Sequence, residues 1–86
     1  MILDIKNEKG LHARASAKFV EVVESFEADA EVSRDGNSAS GDSIMGLLML
    51  AAACGSQIEV KTSGPQAEEL AAALKELVEG LFGEGK

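Results

Sequence analysis

Ala28-Asp29-Ala30-Glu31-Val32-Ser33-Arg34-Asp35-Gly36-Asn37-Ser38-Ala39-Ser40 is the stretch whose reading decides the fold. Ala28, Ala30 and Val32 alternate with Asp29, Glu31 and Ser33, the two-residue period of a strand with one buried face. Asp35-Gly36 suits the positive φ of a tight hairpin, and Asn37 to Ser40 supplies a weak returning strand. Upstream the period lengthens. Ala15, Phe19, Val22, Val23 and Phe26 fall within about 100° on a 3.6-residue wheel, with Lys18, Glu21 and Glu24 outside, which predicts an amphipathic helix over 13–26. Downstream, Asp42 and Ser43 are capable N-caps for a helix over 44–53 that Gly55 ends. Further out, Leu3 and Ile5 alternate with Asp4 and Lys6, and Ile58 and Val60 with Glu59 and Lys61, giving two more strands. Leu70, Leu74, Leu77, Val78 and Leu81 mark a last helix, entered through Ser63-Gly64-Pro65 and ending between Gly80 and Gly83. The order β-α-β-β-α-β-α predicts a two-layer α+β domain spanning residues 1–86, with the helices on one side of the sheet.

Composition narrows the class. Eighty-six residues with 45% apolar content and a mean hydropathy of +0.03 describe a globular chain rather than a disordered one. The longest nearly unbroken apolar run, Ile44 to Cys54, falls short of the roughly 20 residues that span a bilayer. Met1-Ile2-Leu3-Asp4 lacks the basic start of a secretory signal. Cys54 has no second cysteine to pair with, so the expectation is a monomer held by packing in a reducing cytoplasm. A formal charge of −7, with no Trp or Tyr for base stacking, argues against nucleic acid as the main partner. The imbalance is uneven: residues 1–20 carry four cations against two acids, and the sole histidine, His12, lies among them.

Gly10-Leu11-His12-Ala13-Arg14 is the first place where chemistry could sit. Gly10 permits a sharp turn, and His12 falls at the expected N-cap, where the unpaired N–H groups of a first helical turn favour an anion. Arg14 can bring its planar fork to the same place. A nucleophilic nitrogen, an anion cradle and a guanidinium suit a transferable phosphoryl group; the plain alternative is a histidine that merely caps the helix. A free imidazole is already roughly three-quarters neutral at pH 7, so the cradle matters more for holding the phosphoryl group than for supplying the nucleophile. The second place is the helix after Ser43. Ile44, Met45, Leu47, Leu48, Met49, Leu50 and Ala51 surround it with apolar groups, although a helix on a two-layer fold buries only one face. The remainder is either further core or an exposed docking patch, for which methionine is well suited. Ser43 reads most simply as an N-cap, where a phosphate would also be tolerated. Cys54 reads as a small hydrophobe, with a reactive thiol as the alternative. No residues show the spacing of a metal site, and no cofactor fingerprint is present.

Gly10-Leu11-His12-Ala13-Arg14, Ser43-Ile44-Met45-Gly46 and Gly55-Ser56-Gln57-Ile58-Glu59-Val60 together resemble the HPr family, the histidine phosphocarriers of the bacterial phosphoenolpyruvate-dependent phosphotransferase system. The resemblance covers nearly the whole chain. It implies an open-faced β-sandwich, with an antiparallel sheet ordered 1-4-2-3 and three helices on one face. It implies that His12 is phosphorylated on Nδ1 by phosphorylated enzyme I and passes the group to an enzyme IIA, without being an enzyme itself. Arg14 would assist, and first-turn amides, from Ala13, Arg14, Ala15 and Ser16, would receive the phosphoryl oxygens. Ile44, Met45 and Leu48 would meet partners, leaving Leu47, Leu50 and Ala51 for the core. Ser43 matches a regulatory phosphoserine, the target of an HPr kinase/phosphorylase in part of the family. Two departures stand out: Ala15 replaces the usual proline, and Asp42 precedes Ser43 where a basic residue is common. Leu47-Leu48-Met49-Leu50, Gln57-Ile58-Glu59-Val60 and Ser63-Gly64-Pro65-Gln66 are similar to the nitrogen-related branch, NPr, which relays phosphate to a regulatory enzyme IIA; Ser43-Ile44-Met45-Gly46 is instead similar to the sugar-branch proteins. A pure interaction module and a small hydrolase of the acylphosphatase kind remain the competing classes.

Overall fold

The alternating stretch around Val32 becomes the middle of a four-stranded antiparallel sheet in the computed structural model, which describes residues 1–86. The strands are β1 (Ile2–Asp4), β2 (Asp29–Arg34), β3 (Asn37–Ser40) and β4 (Gln57–Ser63), in the order β1-β4-β2-β3. Pairing Leu3 with Ile58, and Val32 with both Ala39 and Val60, puts the apolar residues of all four strands on one face. Three helices cover that face: α1 (Ala13–Glu24), α2 (Ile44–Met49) and α3 (Ala67–Glu79). Phe19, Leu47, Leu70, Leu74 and Val78 meet Ile5, Val32, Ile58 and Val60 in a continuous core, and each of these side chains is essentially fully buried. The opposite sheet face, with Asp29, Glu31 and Lys61 exposed on it, is solvated.

Four expectations are corrected. The helix expected over 44–53 stops at Met49, because Ala51 adopts φ +52°, a left-handed conformation that ends helical hydrogen bonding. The turn sends Ala52 inward and leaves Ala51 exposed, so Ala52 takes the core place expected for Ala51. Two long-range contacts secure it: Leu11 N–H donates to the Ala52 carbonyl at 2.8 Å, and Arg34 Nη1 to the Leu50 carbonyl at 3.1 Å. Consequently Cys54 is not at the end of an apolar helix; it is exposed in the following turn, with its thiol donating to the Lys6 carbonyl. At the end of the chain α3 closes at Glu79, and Leu81 and Phe82 both take positive φ in a short 3-10 turn. That turn drives Phe82, rather than Leu81, fully into the core. Residues beyond it are thereby brought to the start of α1. No helix is long and apolar enough to cross a membrane.

Candidate functional site

Gly10 shapes the approach to α1. Its φ of +65° is one that L side chains rarely adopt, and it lies against the Ala52-Ala53 backbone with no room for a Cβ. His12 follows at the N-cap in extended conformation, as the spacing predicts, but its side chain makes no capping hydrogen bond. The plain capping reading is thereby removed. Nε2 instead meets Glu84 Oε2 in a close contact, and Nδ1 has no hydrogen-bond partner. The ring is partly exposed, with 23% of its side-chain surface accessible.

The turn after His12 offers free donors. The N–H groups of Ala13, Arg14 and Ala15 have no acceptor within the protein, since the first helical bond is Ser16 N–H to the His12 carbonyl at 2.8 Å, but Ala15 is fully buried, so only Ala13 and Arg14 are exposed residues of this turn. Ser16 is therefore removed from the expected cradle. Its N–H is committed, its hydroxyl donates to the Leu11 carbonyl at 3.3 Å, and the residue is fully buried. Arg14 is exposed and lines a depression of about 330 Å³ with Lys9, Lys18, Lys86, Glu8 and Glu84. Four cations against two acids make this a locally positive place on an acidic molecule.

Glu84 is a site residue that sequence reasoning missed. It sits in a glycine-rich tail without periodicity, and its partner His12 is 72 positions away. Asn7 was also missed. It is fully buried, and its Nδ2 donates both to the Gly10 carbonyl at 2.8 Å and to Glu84 Oε1 at 3.0 Å. The bond from Asn7 is the largest influence holding the Glu84 carboxyl below its usual range; partial burial opposes it, and the His12 contact and the charges of His12 and Arg14 reinforce it.

The second helix presents the expected patch. Ile44 and Met45 are exposed, Leu48 is half-buried, and Leu47 and Leu50 are in the core. Met49, at 79% exposure the most open large apolar residue, extends the patch; its signal was its place four positions after Met45, on the same helical face. His12 and Leu48 line one shallow depression, so histidine and apolar patch are neighbouring parts of one surface. Ser43 caps α2, its Oγ accepting from Gly46 N–H at 3.0 Å. No group of three or more His, Cys, Asp or Glu side chains converges as a metal site would require.

The PTS-HPr family model, described as the PTS HPr component phosphorylation site, matches residues 2–80. The chain belongs to the HPr phosphocarrier family. HPr of Neisseria meningitidis serogroup A is 45% identical over 84 residues, covering 98% of this chain and 94% of that protein. NPr of Escherichia coli K12 is 41% identical over 83 residues, covering 95% and 92%. Among solved structures, HPr from Thermoanaerobacter tengcongensis superposes with a TM-score of 0.93 at 36% identity, covering 98% of this chain and 94% of that one. As in HPr proteins generally, then, the role is to carry a phosphoryl group rather than to turn over a substrate.

Proposed function

We propose that His12 takes a phosphoryl group on Nδ1 from phosphorylated enzyme I, itself charged by phosphoenolpyruvate, and hands it to an enzyme IIA. The observation that carries this is a partly exposed imidazole whose Nδ1 is unengaged, directly before two exposed residues, Ala13 and Arg14, whose amides lack acceptors. In transfer the Nδ1 lone pair attacks phosphorus in line with the donor's P–N bond, which breaks as the new one forms. The group arrives with negative oxygens, and the amides of the exposed Ala13 and Arg14 with the Arg14 guanidinium are donors suited to hold it. Ile44, Met45, Leu48 and Met49 form the adjoining apolar contact, small enough for partners that must leave again. Incubation with enzyme I and phosphoenolpyruvate, followed by intact mass measurement, tests the assignment. One acid-labile phosphoryl group is expected on the wild-type chain and none on His12→Ala; an unmodified wild-type chain overturns it.

For the branch, the reading is the nitrogen-related regulatory relay, supported by Leu47-Leu48-Met49-Leu50 and Ser63-Gly64-Pro65-Gln66. The 45% identity to a protein named HPr rather than NPr and the Ser43-Ile44-Met45-Gly46 run favour the alternative, carbohydrate uptake. Offering the phosphorylated chain both kinds of enzyme IIA separates them: faster transfer to the sugar-type acceptor decides against the regulatory branch.

A further inference from the structure

Resting on that assignment of His12, we infer that Glu84 is a positioning residue: its carboxylate keeps the imidazole proton on Nε2, reserving the Nδ1 lone pair for phosphorus, and offsets the positive charge the ring acquires once phosphorylated. An ionised carboxylate only accepts, so the ring nitrogen facing it carries the hydrogen, and in the neutral ring, the form that attacks phosphorus, the other nitrogen is left with the lone pair. Both oxygens of Glu84 are used, Oε2 by His12 and Oε1 by Asn7, and Asn7 is itself buried and tied to the Gly10 carbonyl. The carboxylate is thus oriented from the loop that leads into α1. Its own segment is anchored by the buried Phe82, whose carbonyl accepts from Lys18 Nζ at 2.6 Å. Only 10% of the Glu84 side chain is accessible, so little water competes for it. The charged groups around it are Glu8 and Lys9 from the preceding loop, Arg14 and Lys18 from α1, and Lys86 from its own tail. This mostly cationic surrounding, with the bond from Asn7, favours the ionised form, the form the inference requires.

The chemistry balances without a proton leaving the ring. On loading, the Nδ1 lone pair forms the bond to phosphorus while the donor's P–N electron pair returns to the donor imidazole. The His12 ring becomes a phosphorylated imidazolium that still bears the hydrogen on Nε2, opposite the Glu84 carboxylate. On unloading, the acceptor's nitrogen attacks phosphorus and the P–Nδ1 pair returns to His12, regenerating the neutral ring with the hydrogen in the same place. One fixed carboxylate therefore serves both directions.

The test combines ring ¹⁵N NMR at neutral pH with single-turnover transfer from phosphorylated enzyme I, on wild type, Glu84→Gln and Glu84→Ala. Wild type is expected to be protonated on Nε2. Glu84→Gln retains that tautomer, because its amide oxygen still accepts, yet loads about tenfold more slowly without the charge. Glu84→Ala shifts toward the tautomer mixture of a free imidazole and loads about 10–100-fold more slowly. A wild-type ring protonated on Nδ1, a Glu84→Ala ring with the wild-type tautomer ratio, or either variant loading at the wild-type rate overturns the role of Glu84. Loss of the Glu84 role leaves wild-type loading intact, whereas a wild-type chain that takes no phosphoryl group on His12 overturns the carrier assignment and this role with it.

Discussion

At Gly10 a Cβ would lie 2.5 Å from the Ala52 carbonyl oxygen, on a backbone already at φ +65°. Neither the loop nor the turn after α2 can move aside without giving up the Leu11–Ala52 hydrogen bond. Gly10→Ala is therefore expected to destabilise the fold by about 2–4 kcal/mol, read as a lower urea midpoint at unchanged slope. Asn7 makes a contrasting case. Truncation to alanine removes two donated hydrogen bonds, but it also removes Oδ1, a buried acceptor with no partner. The expected loss is about 1–2 kcal/mol in the same measurement, below the sum of the two bonds. His12 and Arg14 were legible as candidate site residues because glycine, histidine and arginine fell around a periodic helix start. Asn7 and Glu84 were not, since a polar residue in a loop and an acid in a tail acquire their roles only when folding brings them together.

Among the elements, α1, the β2–β3 hairpin and α3 could be read directly, because each keeps one period of burial long enough to show. The end of α2 could not. Ala51 has no local preference for its left-handed conformation and accepts it because the Ala52 carbonyl is needed by Leu11. With only six residues, α2 depends on its cap, and Ser43→Ala is expected to cost about 1 kcal/mol, lowering the thermal midpoint by about 4–8 °C. The exposed side of the same helix should behave differently. Met49→Glu, changing a residue with no core contact to lose, is expected to leave stability within about 0.5 kcal/mol while slowing transfer from enzyme I. Equal transfer rates would remove Met49 from the docking surface.

Across the whole molecule, the tail beyond α3 closes over the start of α1 through Phe82, Lys18 and Glu84. Because the folded state holds the Glu84 carboxyl below its usual range, the unfolded chain takes up that proton at the higher pH. The stabilisation is complete above the ordinary glutamate range near 4.3 and is lost as the pH falls through the lower folded value. Urea titrations of wild type and Glu84→Gln should therefore differ near neutrality and converge in acid; a gap that persists at low pH would mean that charge is not its source.

The bond from Leu11 to Ala52 has one more result. It rivets the step before the imidazole to the step after the methionine-bearing helix, so the spacing between grip and reactive nitrogen is built into every copy of the chain. On the proposed function, a visitor seated on those methionines would arrive with its own reactive group already in range, and each delivery would begin without a fresh search for alignment.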